Sequence, residues 1–165
     1  MNFVVIGTDH RFQHSEAGLS GLLQGWIVLH YPEPLIAIAE EHHKDIGNTS
    51  VAQVLAEKHG LHWCNLDMTP KEKQDAGIFE DQRSRPSTTA RVCSDDIRED
   101  AWVGKLTQPG SGTVLVICGF LHLESLVQKL RDKGHGVDKR VYLETVPEIE
   151  IPDCQKLAAS SLPLS

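Results

Sequence analysis

The sequence lacks the features that mark several common classes of protein. Its 16 basic residues are scattered without a basic block, and 23 acidic residues bring the net charge to −7. A nucleic-acid groove usually shows clustered lysine and arginine, so we expect no nucleic-acid partner. No run approaches the ~18 to 20 apolar residues that span a bilayer, and the N-terminus has no basic segment of the signal-peptide type. We therefore expect a soluble, cytoplasmic protein that makes no membrane contact.

Several short motifs and cysteine patterns are absent as well. There is no Walker loop, no GxGxxG and no GxSxG, so P-loop nucleotide binding and α/β-hydrolase chemistry have no support. The four cysteines, Cys64, Cys93, Cys118 and Cys154, form no CxxC pair, and we interpret them as reduced thiols of a cytoplasmic protein. A chain of 165 residues can bury a core without disulfide staples.

The chain does contain short apolar runs that alternate with helical patterns. Strands are predicted at residues 3–6, 35–39, 61–66, 113–118 and 137–143. Helices are predicted at residues 16–29, 51–59, from 87 or 88 to 107, and 123–133. Strands that are apolar throughout and separated by helices are typical of a parallel sheet covered on both faces. We therefore predict one α/β domain over residues 1–144, with a mainly parallel central sheet of about four to five strands. Residues 145–165 are predicted to form an irregular C-terminal tail.

Polar residues collect where the predicted strands end. In an open parallel sheet, ligands bind beyond the carboxyl ends of the strands. Residues 7–10 (GTDH) follow the first strand and residues 119–122 (GFLH) follow the fourth, and both have the pattern Gly-x-x-His. Glycine lets the backbone turn sharply and leaves room above the sheet. We expect the two histidines to point across the strand ends, towards the acidic pair at residues 40–41.

Two imidazoles with one or two carboxylates are a suitable ligand set for a divalent transition metal. The candidate ligands are His10, His122, Glu40 and Glu41. Imidazole suits Zn, Fe, Co or Ni, whereas carboxylate shifts the preference towards Mn or Fe. A metal with an open position lowers the pKa of a bound water for hydrolysis. Arg98, on the predicted long helix, is a candidate for holding a substrate carboxylate or an acyl oxyanion.

The same residues also have structural interpretations, which stay open at this point. Residues 40–43 (EEHH) fit a solvated loop, of which at most two side chains can point into the crevice. Asp9 fits a helix cap. Arg98 fits a surface cation on the long helix.

The paired Gly-x-x-His motifs resemble those of the TraB/Tiki/ChaN-like superfamily of hydrolases. The matching segments are residues 4–10 and 114–122, and residues 96–106 resemble the arginine-bearing helix of that family. Residues 40–41 stand where the family carries acidic residues after its second strand. The resemblance covers most of residues 3–143. Some members are metal-dependent proteases, and others bind haem or act as transferases.

The resemblance implies that His10, His122, Arg98 and one of Glu40 and Glu41 line an active cleft. The leading hypothesis is metal-dependent hydrolysis of a small ester, amide or phosphoester at the carboxyl ends of the strands. In it, three residues would be ligands or general acid/base groups, namely His10, His122 and Glu41, and Arg98 would hold the anion. Mn, Fe, Co or Zn would be the cofactor, and the substrate would be a small molecule or a peptide. Two alternatives remain open on the same fold: a non-catalytic module that binds a small ligand or nucleotide, and a regulatory interaction protein, including a homodimer.

Overall fold

The computed structural model describes residues 1–15, 17–28, 34–43, 49–79, 87, 89–108 and 110–152. The strands are β1 (Asn2–Thr8), β2 (Leu35–Glu40), β3 (His62–Asn65), β4 (Thr113–Gly119) and β5 (Gly136–Tyr142). All five lie parallel in one sheet, in the order β3-β2-β4-β1-β5. The predicted α/β class and the parallel sheet are therefore confirmed.

Six helices accompany the sheet within the described residues. They are α1 (Phe12–Ser15), α2 (Ala17–Val28), α3 (Val51–His59), α4 (Pro70–Asp75), α5 (Ser94–Leu106) and α6 (Leu123–Asp132). A short 3-10 turn, Phe120–His122, joins β4 to α6. Within the part of the chain that is described, no helix has both the length and the apolar character needed to cross a membrane.

Helices cover both faces of the sheet, as the apolar strands predicted. Successive side chains of a strand point to opposite faces, so each strand contributes to two cores. In β1, Val4 and Ile6 belong to the core under α2 and α3, whereas Phe3 and Val5 belong to the core under α5 and α6. The connections from β1 to β3 run towards one edge of the sheet, and the connections from β3 to β5 run towards the other edge. Because connections between parallel strands are right-handed, the helices of these two halves pack on opposite faces of the sheet.

The strand order brings the two Gly-x-x-His motifs and the acidic pair to one place. β4 lies between β1 and β2, with Thr8 opposite Gly119 and Glu40 opposite Ile117. The pairing continues one residue further, because the N–H of Glu41 donates to the Ile117 carbonyl at 2.8 Å. Three neighbouring strands therefore end side by side, and the segments that leave them border the same crevice.

Two predicted helices have different limits in the structure. The helix predicted from residue 87 or 88 begins at Ser94, because the backbone at residues 90 and 91 pairs with a distant segment instead. Ala90 forms a parallel bridge with Glu150, and the N–H of Arg91 donates to the Glu150 carbonyl at 2.9 Å. The helix predicted at residues 16–29 corresponds to α2, which follows the separate single turn of α1, and residues 16 and 29 lie outside the described ranges.

The cysteines differ from the sequence-based expectation at one position. Cys64 and Cys118 are free, as predicted, but Cys93 is disulfide-bonded. Cys154 lies outside the described residues. A disulfide requires two cysteines to be close in space. Spacing along the chain does not reveal that distance, which is why the prediction of a reduced Cys93 is wrong.

Gly7 has a packing role rather than a turning role. It lies inside β1, and its φ is not among the positive values found for described glycines. A Cβ built on Gly7 would lie 2.8 Å from Cδ2 and 3.0 Å from Cβ of Leu123, which is fully buried. The prediction that this glycine forms a sharp turn is therefore wrong. The prediction that it leaves room for neighbouring groups is correct, since Leu123 occupies that room.

We expect Gly7→Ala to lower the free energy of unfolding by about 1–3 kcal/mol, because the added methyl group overpacks the core at Leu123. Gly25→Ala is the matched control, since Gly25 is exposed on α2 and a Cβ there has no neighbour within 4 Å. We expect this control to be neutral or to stabilise by up to about 1 kcal/mol. Urea denaturation measures both values. Equal midpoints for the two variants would contradict the packing role.

Candidate functional site

A cavity of about 550 Å³ lies at the carboxyl ends of β1 and β4. Its volume is within the usual range for small-molecule sites. Both Gly-x-x-His motifs, the residue after β2 and the segment after β5 contribute to the wall. The lining residues are Thr8, Asp9, His10, Glu41, Ser87, Thr89, Gly119, Phe120, Leu121, His122, Leu143, Thr145 and Pro147. The structure thus brings His10, Glu41 and His122 together at one cavity.

Glu41 is the buried centre of this site. Its carboxylate is fully shielded from solvent. Oε1 accepts a hydrogen bond from Nη2 of Arg98 at 2.7 Å, and Oε2 accepts one from the N–H of Gly119 at 2.9 Å. Burying a carboxylate costs free energy unless its charge is paired and its oxygens are hydrogen-bonded. Arg98 supplies the opposite charge, and both donors supply hydrogen bonds.

Three imidazoles surround the same carboxylate. Nε2 of His43 lies 3.0 Å from Oε1 of Glu41, and Nε2 of His122 lies 3.6 Å from that oxygen. Nε2 of His10 lies 3.6 Å from Oε2. The rings of His10 and His43 meet edge to face, with their centroids 4.3 Å apart. Glu41 is therefore enclosed by groups that can donate a proton or share a metal.

One cluster of described residues could hold a metal ion. The candidate ligand atoms of His10, Glu41 and His43 all lie within 4.8 Å of one another. His43 belongs to the run of residues 40–43 considered from the sequence, but it was not chosen as a ligand. The available signal was its spacing, because residues 41 and 43 point to the same side when the extended backbone of β2 continues past its last strand residue.

Burial and charge set the pKa values at the centre of the site. Burial lowers the pKa of His10, because a charged imidazole loses solvation there. Burial would raise the pKa of Glu41, but His122, His10 and Arg98 more than offset that effect and hold this pKa well below its ordinary value. Burial thus disfavours the charged form of His10, whereas the cationic groups and hydrogen bonds around Glu41 favour its ionised form.

Arg98 reaches the site from α5 but does not line the cavity. It is buried, and its Nη2 donates both to Glu41 and to Oδ1 of Asp67, the latter at 2.9 Å. Burial opposes the charge of Arg98, but these two carboxylates raise its pKa. The observed contacts are with protein carboxylates, whereas the two interpretations from the sequence were a guanidinium that holds a substrate anion and a surface cation. The surface interpretation is wrong, because Arg98 is buried.

Glu40 lies on the other side of the sheet from Glu41. Its carboxylate accepts hydrogen bonds from Nε1 of Trp63 at 2.6 Å, from the hydroxyl of Ser50, and from Nε2 of Gln13 at 2.9 Å. Neighbouring residues of an extended strand point to opposite faces, which explains the separation. The structure does not bring this predicted ligand into the cavity or into the cluster of ligand atoms.

His122 is oriented by a buried carboxylate that sequence reasoning missed. Its Nδ1 lies 2.8 Å from Oε1 of Glu99, and Glu99 also accepts hydrogen bonds from Arg91 at 2.7 and 3.1 Å. Because a carboxylate only accepts hydrogen bonds, Nδ1 of His122 carries the proton and Nε2 faces Glu41. Glu99 lies one residue after Arg98 on α5, and no local pattern distinguishes it from a surface acid.

Comparison with models of protein families, with curated proteins and with solved structures finds no match for this chain. The resemblance to the TraB/Tiki/ChaN-like superfamily rests on residues 7–10 and 119–122 and stays a prediction. Function is therefore inferred from the geometry of the cavity and of the groups around Glu41.

We expect Gly119→Ala to disrupt the cluster while leaving the backbone unchanged. Gly119 has φ −58° and ψ 141°, which any residue can adopt, and its N–H is retained in alanine. The added Cβ, however, would lie 2.7 Å from Nε2 of His10 and 3.2 Å from Oε2 of Glu41. Displacing His10 should lower the affinity for Zn²⁺ by at least about 10-fold.

Competition with a chromophoric chelator measures this loss of Zn²⁺ affinity. The matched control is Gly104→Ala, at an exposed position on α5 where a Cβ has no neighbour within 4 Å. If both variants bind Zn²⁺ like the original protein, the close approach of Gly119 to His10 does not matter for metal binding.

Proposed function

We propose that this protein is a metal-dependent hydrolase of a small ester, amide or phosphoester. The observation that carries the proposal is the convergence of His10, Glu41 and His43, with ligand atoms within 4.8 Å of one another, beside a cavity of about 550 Å³. Imidazole and carboxylate together favour Mn, Fe, Co or Zn. Two of the three ligands, His10 and Glu41, also line the cavity, so a substrate there would lie next to the metal.

The residues present fit such an ion. Nδ1 of His10 is engaged by Gln13 at 2.6 Å, which leaves Nε2 directed to the cluster. Each carboxylate oxygen has two lone pairs, so the hydrogen bond from Gly119 to Oε2 of Glu41 leaves one for a metal. The bound ion would polarise the scissile group and lower the pKa of a water molecule.

The chain itself supplies proton transfer and substrate contact. Glu99 holds the proton of His122 on Nδ1, so Nε2 can accept a proton from water at the cavity. Hydrolysis adds the hydroxyl group to the carbonyl carbon or phosphorus and breaks the bond to the leaving group, to which His122 returns the proton. Phe120, Leu121 and Leu143 line the cavity and would contact apolar parts of the substrate.

A second candidate function is binding of a small ligand without chemistry. The apolar part of the lining favours it, because Phe120, Leu121, Leu143 and Pro147 could bury a ligand whether or not a metal is present. The two functions differ in metal content and in turnover, so one experiment separates them.

We expect untagged protein supplied with Mn, Fe, Co and Zn to retain a near-stoichiometric amount of one of them, measured by inductively coupled plasma mass spectrometry. The double variant His10→Ala/His43→Ala should lose that metal, because two of its three ligands are gone. It should also lose hydrolysis of p-nitrophenyl acetate, an anilide or p-nitrophenyl phosphate. His62→Ala, at an exposed position on β3, is the control and should keep both properties.

Metal that persists in the double variant would place the ion elsewhere and contradict the proposed ligand set. Absence of metal from the original protein after all four ions have been added would contradict metal-dependent hydrolysis. Retention of a small ligand without metal or turnover would then favour the binding function.

A further inference from the structure

Gln13 has only one amide orientation that satisfies its neighbours. The side chain is buried, and its Nε2 lies 2.9 Å from Oε2 of Glu40 and 3.1 Å from the carbonyl oxygen of Glu41. Both of these atoms accept hydrogen bonds, so the NH₂ group must face them. The amide oxygen Oε1 then faces Nδ1 of His10 at 2.6 Å.

That orientation determines which nitrogen of His10 carries the proton. An amide oxygen only accepts, so Nδ1 of His10 must donate. A neutral imidazole has one N–H group, and its proton is therefore on Nδ1. The lone pair is on Nε2, the atom that lies 3.6 Å from Oε2 of Glu41.

Glu40 anchors Gln13 and is itself held by donors alone. Nε1 of Trp63 and the hydroxyl of Ser50 both donate to Oε1 of Glu40, which leaves Oε2 for Gln13. The Ser50 hydroxyl oxygen accepts the N–H of Gln53 at 3.0 Å, so its proton is available for Glu40. The N-cap of α3 thus connects through Glu40 and Gln13 to His10.

We propose that Gln13 and Glu40 are positioning residues that hold His10 in the Nδ1–H tautomer and present its Nε2 to a metal. This inference rests on the proposed metal site. Glu40 then acts on His10 through two hydrogen bonds by way of Gln13, whereas the sequence predicted that Glu40 would itself be a ligand. Residues that orient a ligating histidine in this way commonly change metal affinity when replaced.

The tautomer can be read directly in metal-free protein labelled with ¹⁵N-histidine. Long-range ¹H–¹⁵N spectra should show His10 and His122 both with the proton on Nδ1. In Gln13→Met, which keeps the side-chain length but removes the acceptor, the proton of His10 should move to Nε2, where Oε2 of Glu41 can accept it. His122 serves as the internal reference, because Glu99 holds it independently of Gln13.

Metal affinity gives the second readout. Gln13→Met should bind Zn²⁺ about 10- to 100-fold more weakly than the original protein. The matched control Gln128→Met should not change the affinity, because Gln128 is exposed on α6 and its side chain donates to Asp132 at 2.7 Å, away from the cavity.

An exchange of the two side-chain types tests the direction of the hydrogen bonds. In Gln13→Glu/Glu40→Gln, the new carboxylate can accept from Nδ1 of His10 and from the new amide NH₂. The amide oxygen can still accept from Trp63 and Ser50, because both donate to the same oxygen of Glu40 in the original chain. The exchange also removes the hydrogen bond that the Gln13 amide donates to the Glu41 carbonyl at 3.1 Å. We therefore expect the Nδ1–H tautomer to return, with Zn²⁺ affinity recovered only in part.

A His10 proton on Nε2 in the original protein would overturn the inference. So would an unchanged tautomer or unchanged Zn²⁺ affinity in Gln13→Met. If the tautomer changes as expected but not even the original protein binds Zn²⁺, Mn²⁺, Fe²⁺ or Co²⁺, the positioning role is supported and the proposed metal-dependent function is wrong. The two proposals therefore fail in distinguishable ways.

Discussion

The buried carboxylate of Glu41 is the interaction on which the site depends. An unpaired charge in this position would cost several kcal/mol of free energy, so each surrounding element has to bring a compensating group. α5 brings the guanidinium of Arg98, and the end of β4 brings the N–H of Gly119. The same arrangement that makes the burial tolerable also places imidazole nitrogens around a carboxylate, in a cluster that could hold a metal ion.

The two Gly-x-x-His motifs are alike in sequence but differ in what their glycines do. Gly7 makes room for Leu123 in the core, whereas Gly119 makes room for His10 and Glu41 at the site. Each histidine is held through Nδ1 by an acceptor from a different face of the sheet. For His10 that acceptor is Gln13, and for His122 it is Glu99. The two motifs therefore share only the spacing between glycine and histidine. The contacts of each copy determine what its glycine and its histidine do.

Much of the fold was predictable because it depends on local patterns. Apolar strands between helices predicted a parallel sheet with two covered faces, and residues beyond parallel strands were expected to share one crevice. The choice between Glu40 and Glu41 needed the limits of β2, because one residue along a strand changes the face. Gln13 and Glu99 had no signal, since an isolated glutamine or glutamate on a helix is usually solvated. The beginning of α5 depended on a bridge to Glu150, which is distant in sequence.

The sequence by itself determined which segments are strands, which faces of the helices are apolar, and which polar residues stand at strand ends. These properties depend on the order of apolar and polar residues within a few turns or pleats. Only the tertiary structure decided that β4 inserts between β1 and β2, and that order is what sets Gly119 beside both His10 and Glu41. Strands that are buried on both faces have similar apolar sequences, so their side chains carry little information about which strand lies next to which.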